Sequence, residues 1–137
     1  MYSHETKYRV CYGDTDQMGV VYYGNYPRLY EIGRTELMRT LGLSYKEIEA
    51  QGIALPVCSL NVRYHRPALY DDVLTIRTIV KDIPNARIQF YYEILNEAGK
   101  VINTGDTVLA FIDTQTQRPT RVPETILHLF QENFAVD

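Results

Sequence analysis

The feature that most constrains this chain is a single change of apolar period near Pro56. Before it, from about residue 25 to 41, apolar side chains recur at helical spacing: Tyr26, Tyr30, Gly33, Leu37 and Leu41, flanked by Leu29 and Met38. After it the period drops to two. Residues 56–66 alternate Cys58, Leu60, Val62 and Tyr64 against Ser59, Asn61, Arg63 and His65. The alternation resumes over 73–81, 87–95 and 100–112, and Ile88, Phe90, Tyr92 and Ile94 form one face of the middle run. An earlier strand-like run, 7–12, sets Tyr8, Val10 and Tyr12 against Lys7, Arg9 and Cys11. One long amphipathic helix with about five strands is an α+β, helix-on-sheet architecture.

Turn and cap residues punctuate these runs. Asn25 can cap the long helix and Pro27 is tolerated only in a first turn. Gly42 ends it in the C′ position, and Gly33 inside its apolar face predicts the close approach of another backbone. Ser44 with Glu47 forms a capping box for a short second helix that Gly52 stops. Pro67, Tyr70-Asp71-Asp72, Pro84-Asn85 and Asn96-Glu97-Ala98-Gly99 mark the ends and turns of the strands, and links this short predict antiparallel neighbours. Gly105 predicts a bulge or bend. A closing helix is expected from Glu124 to about Phe134.

At 137 residues the chain suits one domain spanning 1–137. One helix cannot cover a five-stranded sheet on both sides, so pairing with a second copy is expected. Twelve tyrosines, with rings suited to half-buried interfaces and clefts, point the same way. The net charge of -3 argues against a nucleic-acid partner, which would want a basic face. Cys11 and Cys58 are too few for a disulfide scaffold and are expected as buried thiols. His4, His65 and His128 have no ligand spacing, so no metal is expected. Residues 1–5 carry no apolar leader and no run approaches a membrane span, which predicts an intracellular, cytoplasmic protein without a membrane partner.

The chemistry concentrates in Tyr12-Gly13-Asp14-Thr15-Asp16-Gln17-Met18-Gly19-Val20-Val21-Tyr22-Tyr23-Gly24-Asn25-Tyr26-Pro27. Two acids one residue apart, just before a helix start, lie close to free backbone N–H groups and the positive dipole end. Such a loop offers a base or nucleophile together with donors for an oxyanion. From these residues alone a capping loop without chemistry reads equally well, since Asp and Gly are ordinary turn residues.

This stretch, the long helix, and the later Tyr70-Asp71-Asp72-Val73-Leu74-Thr75-Ile76 together resemble the hotdog-fold thioesterases, in particular the 4-hydroxybenzoyl-CoA thioesterase family. The similarity runs from about Lys7 to Ile126. It implies a hotdog fold, an antiparallel sheet wrapped around one central helix, and a homodimer or homotetramer with active sites at the dimer interface. It implies hydrolysis of an acyl- or aroyl-CoA, with coenzyme A part of the substrate and no cofactor. The family's reactive acid falls on Asp16, its carbonyl-polarising N–H on Tyr23, and a loop-shaping acid on Asp14.

Two departures bear on the site. Some relatives have histidine where this chain has Tyr23, and a phenol with an ordinary pKa of about 10 cannot serve as base near neutrality. Only the N–H of Tyr23, or its hydroxyl as a hydrogen bonder, carries over. One branch holds CoA phosphates with adjacent arginines before the fourth strand, where this chain has Pro84-Asn85-Ala86 and then Arg87 as the sole local cation. His65 and Arg66 at a strand end are further phosphate candidates, and Ser59 a candidate substrate hydrogen bonder without any nucleophile-elbow setting. Two other functions remain open: a hotdog dehydratase or hydratase, which wants a histidine near the acid, and a non-enzymatic acyl or aromatic binder in which Asp16 is structural.

Overall fold

The structure, a computed structural model, describes residues 1–134. In chain order its elements are β1 (Tyr2–Arg9), α1 (Tyr26–Thr40), α2 (Tyr45–Ala50), β2 (Ile53–Ala54), β3 (Val57–Tyr64), β4 (Val73–Val80), β5 (Arg87–Leu95), β6 (Val101–Ala110), β7 (Ile112–Asp113), β8 (Arg118–Pro119) and α3 (Glu124–Asn133). Five strands form an antiparallel sheet in the order β1-β4-β5-β6-β3, and β2-β7-β8 form a small second sheet.

The helical stripe read from the sequence is the face α1 buries: Tyr26, Leu29, Tyr30, Gly33, Leu37 and Met38. It packs on Leu74, Ile76, Phe90, Tyr92 and Ile94, all but inaccessible to solvent. Each such side chain contributes about 1.5–3 kcal/mol on burial. Gly33 marks a close approach, but of side chains rather than of another backbone: a Cβ there would meet Thr78 Oγ1 and, at 2.7 Å, Ile76 Cγ2. Gly42 closes the helix at φ +83°, where a side chain would be strained. The opposite face of the sheet is polar, with Arg77 bridging Glu5 and Glu93 and with Gln89 and Asn61 both donating to Asp106.

Several expectations need correction. The first strand is Tyr2–Arg9 rather than 7–12, because its partner β4 runs alongside it from Val73 to Val80 and Tyr12 has already turned into a 3₁₀ segment. β3 does not pair with β4, its sequence neighbour. It lies across the sheet against β6, so the 65–72 link spans the sheet instead of forming a hairpin. Gly105 is not at a bulge. It sits in regular register opposite Val62 and Tyr92, and its missing side chain makes room for the Tyr30 ring, whose Cε2 a Cβ would meet at 2.6 Å. The register shifts fall at Val57/Ser59 and Ile94/Leu95. Both cysteines are exposed: Cys11 lies beyond the end of β1, and Cys58 lies on an outer strand whose inward face α1 leaves largely uncovered. Asn25 makes no side-chain cap bond and instead donates from Nδ2 to the Asp14 carbonyl at 2.8 Å.

Candidate active site

Asp14 organises the loop between β1 and α1. It is buried, and its Oδ2 accepts from the Tyr8 hydroxyl at 2.7 Å and the Cys11 N–H at 2.8 Å. Its Oδ1 accepts from Arg28 Nη1 at 3.3 Å, and its main-chain oxygen accepts from the Tyr22 N–H at 2.9 Å as well as from Asn25. One residue thus ties the loop to the end of β1 and to both sides of the helix start. Arg28 itself is more than half exposed, which lets solvent screen its pair with Asp14; the bonds from the buried side carry the clamp. Burial raises the Tyr8 hydroxyl above its ordinary pKa, with Arg28 opposing and Asp14 reinforcing the shift, so Tyr8 stays a donor to Asp14.

Two residues on, Asp16 has a different setting. Its N–H donates to the Val20 carbonyl at 2.9 Å, and Gly19 closes the intervening turn at φ +81° with its N–H on the Asp16 carbonyl at 3.0 Å. Asp16 Oδ1 accepts from the Met18 N–H at 2.9 Å, and Oδ2 makes no hydrogen bond among the described residues. One backbone donor, the Met18 N–H, therefore orients the carboxylate and leaves the other oxygen available.

Asp16 faces a cleft of about 320 Å³. Met18, Val20, Val21, Tyr26 and Pro67 give it apolar walls, Tyr23 and Tyr64 flank it, and His65 and Arg66 supply a cationic or polar end. Tyr23 begins the 3₁₀ turn that runs into α1, so its N–H and that of Gly24 are donors without intrahelical partners. The Tyr64 hydroxyl donates to the Tyr23 carbonyl at 2.9 Å. The Tyr26 ring stands edge-on to Tyr64, at 5.5 Å between centroids, and burial raises its hydroxyl above the ordinary range, followed by the influence of Tyr64. His65 Nε2 pairs with Thr104 Oγ1 at 2.9 Å.

Of the residues singled out from the sequence, Asp16, Tyr23, His65 and Arg66 come together in this cleft. Ser59 and Arg87 do not line it. Ser59 lies in β3 opposite Val108, in register with Asn61 and Arg63 on the face away from α1. Arg87 opens β5 and borders a separate depression with Asp82, Ile83, Pro84, Gln89 and Tyr91. Sequence reasoning missed Met18, Tyr26 and Tyr64 as cleft walls. Tyr64 had a usable signal, since the alternation of 56–66 already put it on the apolar face at the end of the run nearest His65 and Arg66. Among the described residues no group of His, Cys, Asp and Glu could hold a metal ion. Among the described residues no helix is long and apolar enough to cross a membrane.

A central helix on a five-stranded antiparallel sheet in this strand order, with an acidic loop leading into the helix start, defines a protein of the hotdog thioesterase class. The pattern of the Thioesterase-like superfamily matches residues 10–130, and the chain belongs to that superfamily. It is 32% identical over 124 residues to the acyl-CoA thioester hydrolase YbgC of Escherichia coli, covering 90% of this chain and 92% of that one. It is 31% identical over 123 residues to the acyl-CoA thioesterase YbgC of Haemophilus influenzae, covering 89% and 90%. Among solved structures, a DHNA-CoA thioesterase from Staphylococcus aureus superposes with a TM-score of 0.86 at 34% identity, covering 99% of this chain and 98% of that one.

Proposed function

We propose that the protein is an acyl-CoA thioesterase, cleaving an acyl- or aroyl-CoA to the free acid and coenzyme A. The observation that carries the reading is the shared cleft: Asp16, whose Oδ2 has no hydrogen bond among the described residues, and Tyr23, which begins the turn into the helix, line the same apolar space. Hydrolysis needs those two elements together. With the thioester carbonyl oxygen on the N–H of Tyr23, Asp16 attacks the carbonyl carbon, expels the CoA thiolate and forms a mixed anhydride that water opens. Alternatively Asp16 takes a proton from the attacking water. Both routes need its charge. The chain acts without a cofactor, as a single hotdog domain, and a coenzyme A thioester substrate suits the cytoplasm.

One observation favours the dehydratase or hydratase reading: His65 lines the same cleft as Asp16, although the loop from Asp14 to Asn25 has no histidine. Release of free thiol from a panel of acyl-CoA substrates separates the readings. Stoichiometric CoA release supports hydrolysis; hydration without thiol release supports the alternative, and binding without turnover supports a non-enzymatic binder.

The CoA diphosphate is placed at Arg66 and His65, the polar end of the cleft. Phosphate contacts are charge-assisted and add binding to ground and transition state alike. Arg66→Ala is expected to raise KM several-fold with little change in kcat. An unchanged KM would remove Arg66 from the nucleotide. An equal rise in Arg87→Ala would place Arg87 on the substrate across a subunit boundary.

The assembly is proposed to be a homodimer or a homotetramer built as a dimer of dimers. β3 is an outer strand exposed along nearly its whole length, with Val57 at 48%, Leu60 at 43% and Tyr64 at 52% of full exposure. Such an edge is a template for another strand. Light scattering at micromolar concentration is expected to give at least twice the 15.9 kDa chain mass, and a monomer mass would overturn the assignment.

A further inference from the structure

We propose that Tyr64 is a positioning residue, whose hydroxyl sets the geometry and strength of the Gly24 N–H as a second oxyanion donor beside that of Tyr23 at the start of α1. The inference rests on the thioesterase reading above. Two peptide planes meet at Tyr23. The first carries the Tyr23 N–H, and its carbonyl, that of Tyr22, accepts locally from the Asn25 N–H at 2.9 Å. The second carries the Gly24 N–H, and its carbonyl, that of Tyr23, accepts from the Tyr64 hydroxyl at 2.9 Å. The first plane is thus pinned from within the turn and the second from a strand 41 residues away.

Pinning matters because the peptide unit is rigid, so fixing its oxygen fixes the direction of its N–H. A hydrogen bond accepted by the carbonyl also polarises the amide and strengthens its N–H as a donor. Donors aimed in advance at a developing oxyanion cost no reorganisation during reaction. The Tyr64 ring is itself well held. It meets the buried Tyr26 ring edge-on at 5.5 Å and the Tyr23 ring at 6.4 Å, and its backbone pairs with the fully buried Asn103.

Tyr64→Phe tests this directly, because it keeps both ring contacts and deletes one hydroxyl. The expected result is a fall in kcat of about tenfold, the size of one net hydrogen bond carried into the barrier. KM for the same acyl-CoA and the thermal midpoint should stay at wild-type values. The Gly24 amide proton resonance should move upfield, as expected when its own peptide loses a carbonyl hydrogen bond. Asp16→Asn in the same assay separates the levels of argument. Wild-type kcat in Tyr64→Phe with an inactive Asp16→Asn overturns the role of Tyr64 and leaves the thioesterase reading standing. A raised KM at unchanged kcat overturns it too, since Tyr64 would then simply bind substrate. Full turnover by Asp16→Asn overturns both.

Discussion

Asp16→Asn is expected to lower kcat at least ~100-fold, the lower range for loss of general-base help, in a protein that folds normally. The structure explains why folding should survive. Asp16 Oδ1 takes one backbone bond, from Met18, which a side-chain amide oxygen can accept equally well. The new amide nitrogen replaces Oδ2, which has no partner among the described residues and can be solvated in the cleft. What disappears is negative charge on the free oxygen, needed for attack and for proton abstraction alike. Asp14→Asn is the matched control with the opposite profile. Its Oδ2 receives two donors, the Tyr8 hydroxyl and the Cys11 N–H, and an amide nitrogen there would face them with hydrogens of its own. Placing the amide oxygen on that side instead turns the nitrogen toward Arg28. In the first placement a buried donor loses its acceptor, at about 1–3 kcal/mol; in the second the exposed Arg28 loses its anionic partner and the Tyr8 and Cys11 donors keep only a neutral oxygen in place of a carboxylate. Thermal melting should show this loss, and thiol release should show the loss in Asp16→Asn. If purified Asp16→Asn turns over acyl-CoA at near wild-type rate, the acid is structural and the binder and dehydratase readings take precedence.

Gly105→Val should cost about 3 kcal/mol, the upper part of the range for overpacking, and lower the melting midpoint by about 10 °C. A Cβ at this position meets the Asn61 carbonyl on β3 and the Tyr30 hydroxyl at once, with Tyr30 Cε2 at 2.6 Å. Neither neighbour can give way cheaply. The Asn61 carbonyl belongs to the paired backbone of β3. Tyr30 is fully buried, stacks on Tyr92 with 4.2 Å between centroids, and donates its hydroxyl to Asn103 Oδ1. Moving Tyr30 would also expose the Asn103 side chain, whose amide nitrogen has no partner of its own among the described residues. Differential scanning calorimetry reads the effect, and a midpoint within a degree of wild type would show that β6 and α1 separate more easily than this packing implies.

The period of apolar residues made α1 legible nearly to the residue, and β4, β5 and β6 closely, because burial on one face imposes that period. It could not reveal where β3 would pair. Alternation says which face of a strand is apolar and nothing about which strand lies beside it, so the short 65–72 link suggested a neighbour that β3 does not have. Gly105 was legible as special but not for the right reason, since a bulge and an intruding ring both select glycine. The cysteines were misread for a related cause: an apolar pattern presumes a covering layer, and over Cys58 no described residue supplies one. In the site, the local grammar of acid, glycine and helix start was readable within one stretch of sequence. The cleft walls at Tyr64, His65 and Arg66 arrive from the far side of the sheet, and only tertiary folding puts them beside Asp16.

The two outer strands of the sheet are unlike, and that difference bears on how growth stops. The exposed positions of β1 are Ser3, Glu5, Lys7 and Arg9, three of them charged, which discourages addition of a further strand. β3 presents Val57, Leu60 and Tyr64 along with Ser59, Asn61 and a single charge, Arg63. A two-fold pairing of the kind proposed joins β3 to β3 and leaves the charged β1 strands at both far ends. Such a sheet is self-limiting: the union that hides the adhesive border also terminates it, and a chain rich in β-structure avoids the open-ended stacking that leads to fibres.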